Sequence, residues 1–212
     1  MGVVLGVDQS INGTGLCVLK DASPVLLKTV KQDASMGFAR FDNICREIET
    51  IISTHQPNIV VAEECTGHNH SASLMGLVEL LGCIKLTVYR LGYRADREAY
   101  LKGDKVFVCQ NQSSMKKFCL GSGSVKKDSG YLLSVFQRMH VQFEDDNQAD
   151  AYMHAWMVEI VRGVVCGDID IDDLPTHQQE TLIARGVKSR KGLSMTRAMK
   201  MSAEEKRNLV GY

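Results

Sequence analysis

The sequence has no hydrophobic run approaching the ~18–20 residues that a membrane span requires, so no transmembrane helix is expected. It opens without a basic region followed by a small-residue cleavage site. A strand pattern begins at Val3 instead, and no secretory leader is read. It has no CxxC pair. Its seven cysteines stand singly and are odd in number. That argues against a disulfide framework and a zinc cluster. Cys17, Cys45, Cys83 and Cys109 lie in or beside apolar runs, where a reduced thiol acts as a small hydrophobe. The chain also lacks net charge, with 25 Lys and Arg balancing 25 Asp and Glu, so composition does not announce a nucleic-acid binder. No internal repeat is present.

What is present suits a globular protein. The 212 residues, 44% of them apolar, can bury a sizeable core in one domain or one domain plus an extension. The charges are unevenly spread. Acids cluster over 144–150 and 168–173. Bases cluster at Lys116–Lys117, at Lys126–Lys127 and over 185–207. A neutral total can hide a basic face beside an acidic pocket.

Val3, Val4, Leu5 and Val7 form a short apolar run that reads as a buried strand ending in Asp8. Ser10, Gly13, Thr14 and Gly15 supply turn residues, and 16–19 begins a second strand. Residues 24–30 read as a third. Phe41, Ile44, Cys45, Ile48, Ile51 and Ile52 recur with helical spacing, which predicts a helix over 37–54. Residues 59–62 make another buried strand, followed by Glu63 and Glu64. Leu74, Leu77, Leu81 and Ile84 mark a helix that ends near Arg90. Residues 106–109 predict a fifth strand. A polar loop is expected over 110–123, then helices over 126–139 and 147–162. Residues 168–212 have little periodicity and read as short helices or a mobile extension. Hairpin strands followed by βα units predict an α/β fold, a mixed five-stranded sheet with helices on both faces.

Four acids stand out. Asp8 and Glu63 end strands; Asp146 and Asp150 are four apart and share one helix face. An acid at the end of a buried strand costs free energy unless a cation neutralises it. At ~4 Å and an effective dielectric near 20, each like-charge pair costs on the order of 4 kcal/mol before screening. A divalent cation turns that repulsion into ligation, and an all-oxygen set points to Mg²⁺ or Mn²⁺. Glu64 is the alternative to Glu63, and Asp146 has a bland reading as a helix N-cap. His154 follows Asp150 by one turn and reads by default as a satisfied helix histidine. Residues 68–70 spell a nuclease-like His-Asn-His word without the context that would give it meaning.

The stretch Asp8-Gln-Ser10-Ile-Asn-Gly-Thr14-Gly15 resembles the opening motif of RuvC-type Holliday junction resolvases, which have the RNase H fold. Val60-Val61-Ala62-Glu63 resembles that family's second acidic strand. Asp146-Asn147-Gln148-Ala149-Asp150-Ala151 resembles its final motif. Ser114 to Asp128, with its lysine pairs and Gly121 and Gly123, resembles a further block of phage and bacterial members. The likeness spans roughly 1–162, so the nuclease domain is expected over 1–165 and an extension over 166–212. The loop over 65–71 lacks the aromatic wedge of some relatives.

The resemblance implies a homodimeric, Mg²⁺-dependent endonuclease that nicks four-way DNA junctions, in a bacterial or phage-infected cytoplasm and without a membrane. It implies two Mg²⁺ per site, with Mn²⁺ a substitute, held by Asp8, Glu63, Asp150 and a fourth residue, Asp146 or Asn147, with Asp146 favoured. Ser10, Lys116, Lys117, Lys126 and Lys127 are the candidate DNA contacts. Three rivals remain: an RNase H-like nuclease on RNA–DNA hybrids, a non-catalytic binder of branched DNA, and an ATP-binding kinase-like fold. The last lacks a convincing second glycine-rich phosphate motif.

Overall fold

The computed structural model of the chain describes residues 2–65, 72–95, 104–128 and 130–187. Five strands form one sheet: β1 Val3–Asp8, β2 Gly13–Lys20, β3 Ser23–Lys31, β4 Ile59–Glu63 and β5 Val106–Gln110, in the order β3-β2-β1-β4-β5. β1 pairs antiparallel with β2 and parallel with β4. β2–β3 is antiparallel and β4–β5 parallel. The expected mixed sheet is therefore present. The helices among the described residues are α1 Ala39–His55, α2 Ala72–Arg90, α3 Gln112–Leu120, α4 Tyr131–Met139, α5 Asp146–Cys166 and α6 Thr176–Val187.

Strand alternation divides the side chains between two cores. Leu5, Val7, Leu16, Val18, Val60, Ala62 and Phe107 pack with α1 and α2 on one face. Val4, Cys17, Leu19, Ile59, Val61, Val106 and Val108 pack with α3, α4 and α5 on the other. Continuing the alternation puts Asp8, Glu63 and Gln110 on the α5 face.

Two glycines let α5 lie directly on the sheet. A Cβ at Gly6 would stand 2.1 Å from the Ala151 carbonyl oxygen, and one at Gly15 2.0 Å from that of Asn147. Asn147 and Ala151 are one helical turn apart, so the same ridge of α5 rests on β1 and β2. No side chain fits between them.

The structure corrects three expectations. The predicted loop over 110–123 contains α3. Asn111 caps it, its side chain accepting from Ser114 N at 3.1 Å. Met115, Phe118 and Cys119 recur at i, i+3 and i+4 and are buried. Gly121, at φ +81°, ends the helix. Polar and small residues around this short stripe masked its period. The helix expected over 126–139 starts only at Tyr131, after a turn in which Asp128 accepts from Gly130 N at 3.0 Å. α5 runs on to Cys166, where Gly167 caps it at φ +85°.

Beyond α5, Ile171, Leu182 and Ile183 are buried in the same core as α3 and α5. Each such side chain contributes about 1.5–3 kcal/mol when buried. Residues 68–70 and the basic block after 187 lie outside the described residues.

Candidate active site

Asp8 ends β1 opposite Gly15 on β2, and Glu63 ends β4 opposite Gln110 on β5. Val7 pairs with Ala62, so Asp8 and Glu63 are the next step on neighbouring parallel strands. The row Gly15, Asp8, Glu63, Gln110 thus crosses the sheet at one level. Gln9 fastens its middle: its Nε2 donates to Glu63 O at 2.5 Å and its Oε1 accepts from Glu63 N at 3.0 Å. Glu64 points the other way along the alternation. Its side chain is exposed, while its N–H donates to Gln110 O at 2.8 Å. Glu63 is therefore the acid that meets Asp8.

α5 supplies the opposing wall. Asp150 is fully buried one turn in from the helix start. Tyr131 OH donates to its Oδ1 in a short hydrogen bond, and Gln112 Nε2 donates to its Oδ2 at 3.2 Å. Asp146 does not cap the helix. Asp145 does, its carboxylate accepting from Gln148 N at 3.0 Å and from Thr29 Oγ1 at 2.8 Å. That leaves Asp146 free to face the acids, while Asn147 has its backbone against Gly15.

One ammonium ties the cluster together. Lys127 Nζ stands 2.8 Å from Asp150 Oδ2, 3.1 Å from Asp146 Oδ2 and 3.9 Å from Asp8 Oδ2. Its side chain is 33% exposed, at the mouth of the site. Burial opposes its charge, but Asp8 and Asp150 outweigh burial and hold its pKa above the ordinary lysine value. Burial, then the Asp150 charge, pushes Asp8 well above the usual carboxylate range. Burial also raises Glu63, which a hydrogen bond from Asp8 partly offsets. The Tyr131 phenol is raised as well, first by burial and then by Asp150.

The other candidate DNA contacts part company. Lys116 is buried, with Nζ 3.4 Å from Val125 O and 5.1 Å from the Tyr131 ring centroid. Its charge acts on Glu63 and is not offered at the surface. Lys117 is half-exposed and 3.8 Å from Glu180 on α6. Lys126 is exposed. Ser10 lies in the β1–β2 turn, its N–H donating to Thr14 Oγ1 at 3.3 Å. Lys127, expected as a phosphate contact, sits among the acids.

The donor set fits a divalent cation. Ligand atoms of Asp8, Glu63 and His154 lie within 4.8 Å of one another, and the Lys127 ammonium already marks a place where positive charge is held. Sequence reasoning missed Gln9, Gln112 and Tyr131, because none carries a charge pattern along its own segment. Cys119, which feels the Asp150 charge, and Cys17, opposite Gly6 on β2, are buried thiols whose pKa burial raises.

No family model matches the chain, and no curated protein matches it in sequence. Solved structures do match. A Thermus thermophilus RuvC in complex with a Holliday junction substrate superposes with a TM-score of 0.58 at 18% identity, covering 74% of this chain and 92% of that one. This is the RuvC-type resolvase fold. A second Thermus thermophilus RuvC structure has a TM-score of 0.55 at 20% identity, covering 78% of this chain and 96% of that one. In the RuvC-type fold of this chain, β1, β4 and α5 bring the acids together.

Proposed function

We propose that the chain is a structure-selective endonuclease that nicks branched DNA, four-way junctions above all, with Asp8, Glu63, Asp146 and Asp150 holding two divalent cations, Mg²⁺ or Mn²⁺. The observation that carries this reading is the convergence of acids from three separate elements of a RuvC-type fold on one buried site. Bound there, the cations would neutralise the acids and stabilise the charge that develops on a phosphate under attack by water.

The chain's own residues prepare that site. Tyr131 and Gln112 fix the Asp150 carboxylate, so no rotamer search is needed when charge changes nearby. Gln9 holds Glu63 at the level of Asp8. Lys127, at the mouth, is the cation nearest an incoming phosphate. Lys126, Lys117 and Ser10 contact the strand further out. A homodimer is part of the reading. Met75, Val78, Leu86 and Tyr89 are exposed apolar side chains on one face of α2, and Gly82 between them opens onto empty space. A second copy of α2 would cover that stripe and set two sites about a two-fold axis, as a four-way junction requires. No helix among the described residues is long and apolar enough to cross a membrane.

The test is cleavage of a synthetic four-way junction in Mg²⁺, beside matched linear duplex and RNA–DNA hybrid. Paired nicks on the junction are expected. Asp8→Asn should lower the rate by about 10³-fold, the ~4 kcal/mol that one cation-holding carboxylate contributes to the transition state. Preferred cutting of the hybrid would discard the junction reading. Tight junction binding without cutting in either Mg²⁺ or Mn²⁺ would discard the enzyme.

A further inference from the structure

His154 does not behave as a satisfied core histidine. It is fully buried, four residues after Asp150 on α5. Its Nδ1 is 2.7 Å from Gln110 Oε1, and an amide oxygen only accepts. Nδ1 therefore carries the proton and Nε2 presents a bare lone pair. That Nε2 is buried without a hydrogen-bond partner, and so is Gln110 Nε2. A ring nitrogen of His154 lies within 4.8 Å of ligand oxygens of both Asp8 and Glu63.

Those facts do not fit a structural role. A buried acceptor without a donor costs about 1–3 kcal/mol. A lone pair held near two carboxylates adds repulsion. No donor among the described residues reaches Nε2 to relieve either cost. A cation would complete the arrangement. The Gln110 bond also sets tautomer and ring orientation, as the outer partner of a metal-bound histidine usually does.

We propose that His154 Nε2 is a nitrogen ligand to a divalent cation that Asp8 and Glu63 also hold, and that it biases the site toward Mn²⁺ over Mg²⁺. The inference rests on the cation site proposed above and adds a ligand that the four-acid reading leaves out. One imidazole with two carboxylates suits a borderline transition metal better than Mg²⁺, which favours oxygen and water. His154→Gln should weaken Mn²⁺ binding about 10- to 100-fold and Mg²⁺ binding much less. Gln110→Leu, which leaves the imidazole unanchored, should weaken Mn²⁺ about tenfold.

The deciding experiment is pulsed electron paramagnetic resonance on the full chain loaded with Mn²⁺, read for ¹⁴N modulation from a bound imidazole. The expected result is modulation in the wild type that disappears in His154→Gln. Stoichiometric Mn²⁺ without ¹⁴N modulation would overturn the His154 ligand and leave the carboxylate site standing. Modulation that persists in His154→Gln would overturn it too, since another histidine would be the ligand. Failure to bind Mn²⁺ at all would overturn both this inference and the cation-dependent reading. Should His154→Gln fail to fold, the wild type alone decides. In ¹⁵N-histidine spectra, titration with diamagnetic Zn²⁺ should move the Nε2 resonance of one buried histidine, and an unmoved Nε2 would overturn the assignment.

Discussion

The two faces of the sheet are built on different terms. Against α1 and α2 the strands present Leu5, Val7, Leu16, Val18, Val60 and Ala62, and side chains fill the gap. Against α5, beside side chains such as Val4, Cys17 and Val61, they also present Gly6 and Gly15, where backbone rests on backbone. Side-chain packing absorbs a change of shape by local relaxation, at a cost in stability. A backbone contact cannot relax without moving the helix, and this helix carries Asp146, Asp150 and His154. One face therefore holds the protein together, while the other also sets the distances within the site.

The sharpest way to break that comparison is Gly15→Ala. The new methyl would meet the Asn147 backbone, so the start of α5 must lift away from Asp8. Junction cleavage per folded molecule should fall by 100-fold or more, about 3 kcal/mol of transition-state stabilisation. Circular dichroism should still show the fold. Cleavage at the wild-type rate would mean that α5 does not set the site.

On the other face, Ile48→Ala removes a buried side chain of α1. It should destabilise by about 2–5 kcal/mol in urea unfolding. The folded fraction should retain its cleavage rate, and a specific loss of rate would merge the two faces into one functional unit.

A third test reads the α5 face by pH. His154 has a folded pKa near 4 against an ordinary 6.5. Between those values the unfolded chain binds a proton that the folded chain refuses, so this residue's contribution to stability is lost as pH falls from 6.5 to 4. Asp8 and Glu63, raised in the folded state, act in the opposite sense: they favour folding below their ordinary values and lose that contribution as pH rises through the folded ones. The wild-type minus His154→Gln difference isolates the histidine. In chelator-treated buffer that difference should shrink by up to about 3 kcal/mol over the window. A flat difference would mean that the ring is charged or hydrated.

The smallest effect lies far from both cores. The β2–β3 turn has Asp21 at φ +50° and Ala22 at φ +61°, a conformation that favours Asn-Gly. Ala22→Gly should raise stability by about 0.4–1 kcal/mol and leave cleavage unchanged. Destabilisation would mean that the alanine methyl makes a contact worth more than the strain.

Much of this molecule can be read along the chain. The apolar runs in 3–8 and 59–63 predict buried strands that end in acids, and the isoleucine spacing of α1 predicts its buried side. Parity says that only one of the two successive acids shares a face with Val61, and Glu63 is the one that directly follows the apolar run. These are local properties: a repeating pattern reports which side of a segment avoids water, whatever lies across from it.

Other features exist only once segments meet. Asp145 rather than Asp146 caps α5 because Thr29, 116 residues earlier, comes alongside it. Gln112 reaches Asp150 across 38 residues, and His154 finds Gln110 across 44. Lys127 reads as one more surface lysine until the turn before α4 folds it onto three carboxylates. Uncharged partners and misplaced charges leave no period in a sequence. Their roles follow from distance and burial, which the packing of α5 onto two glycines decides.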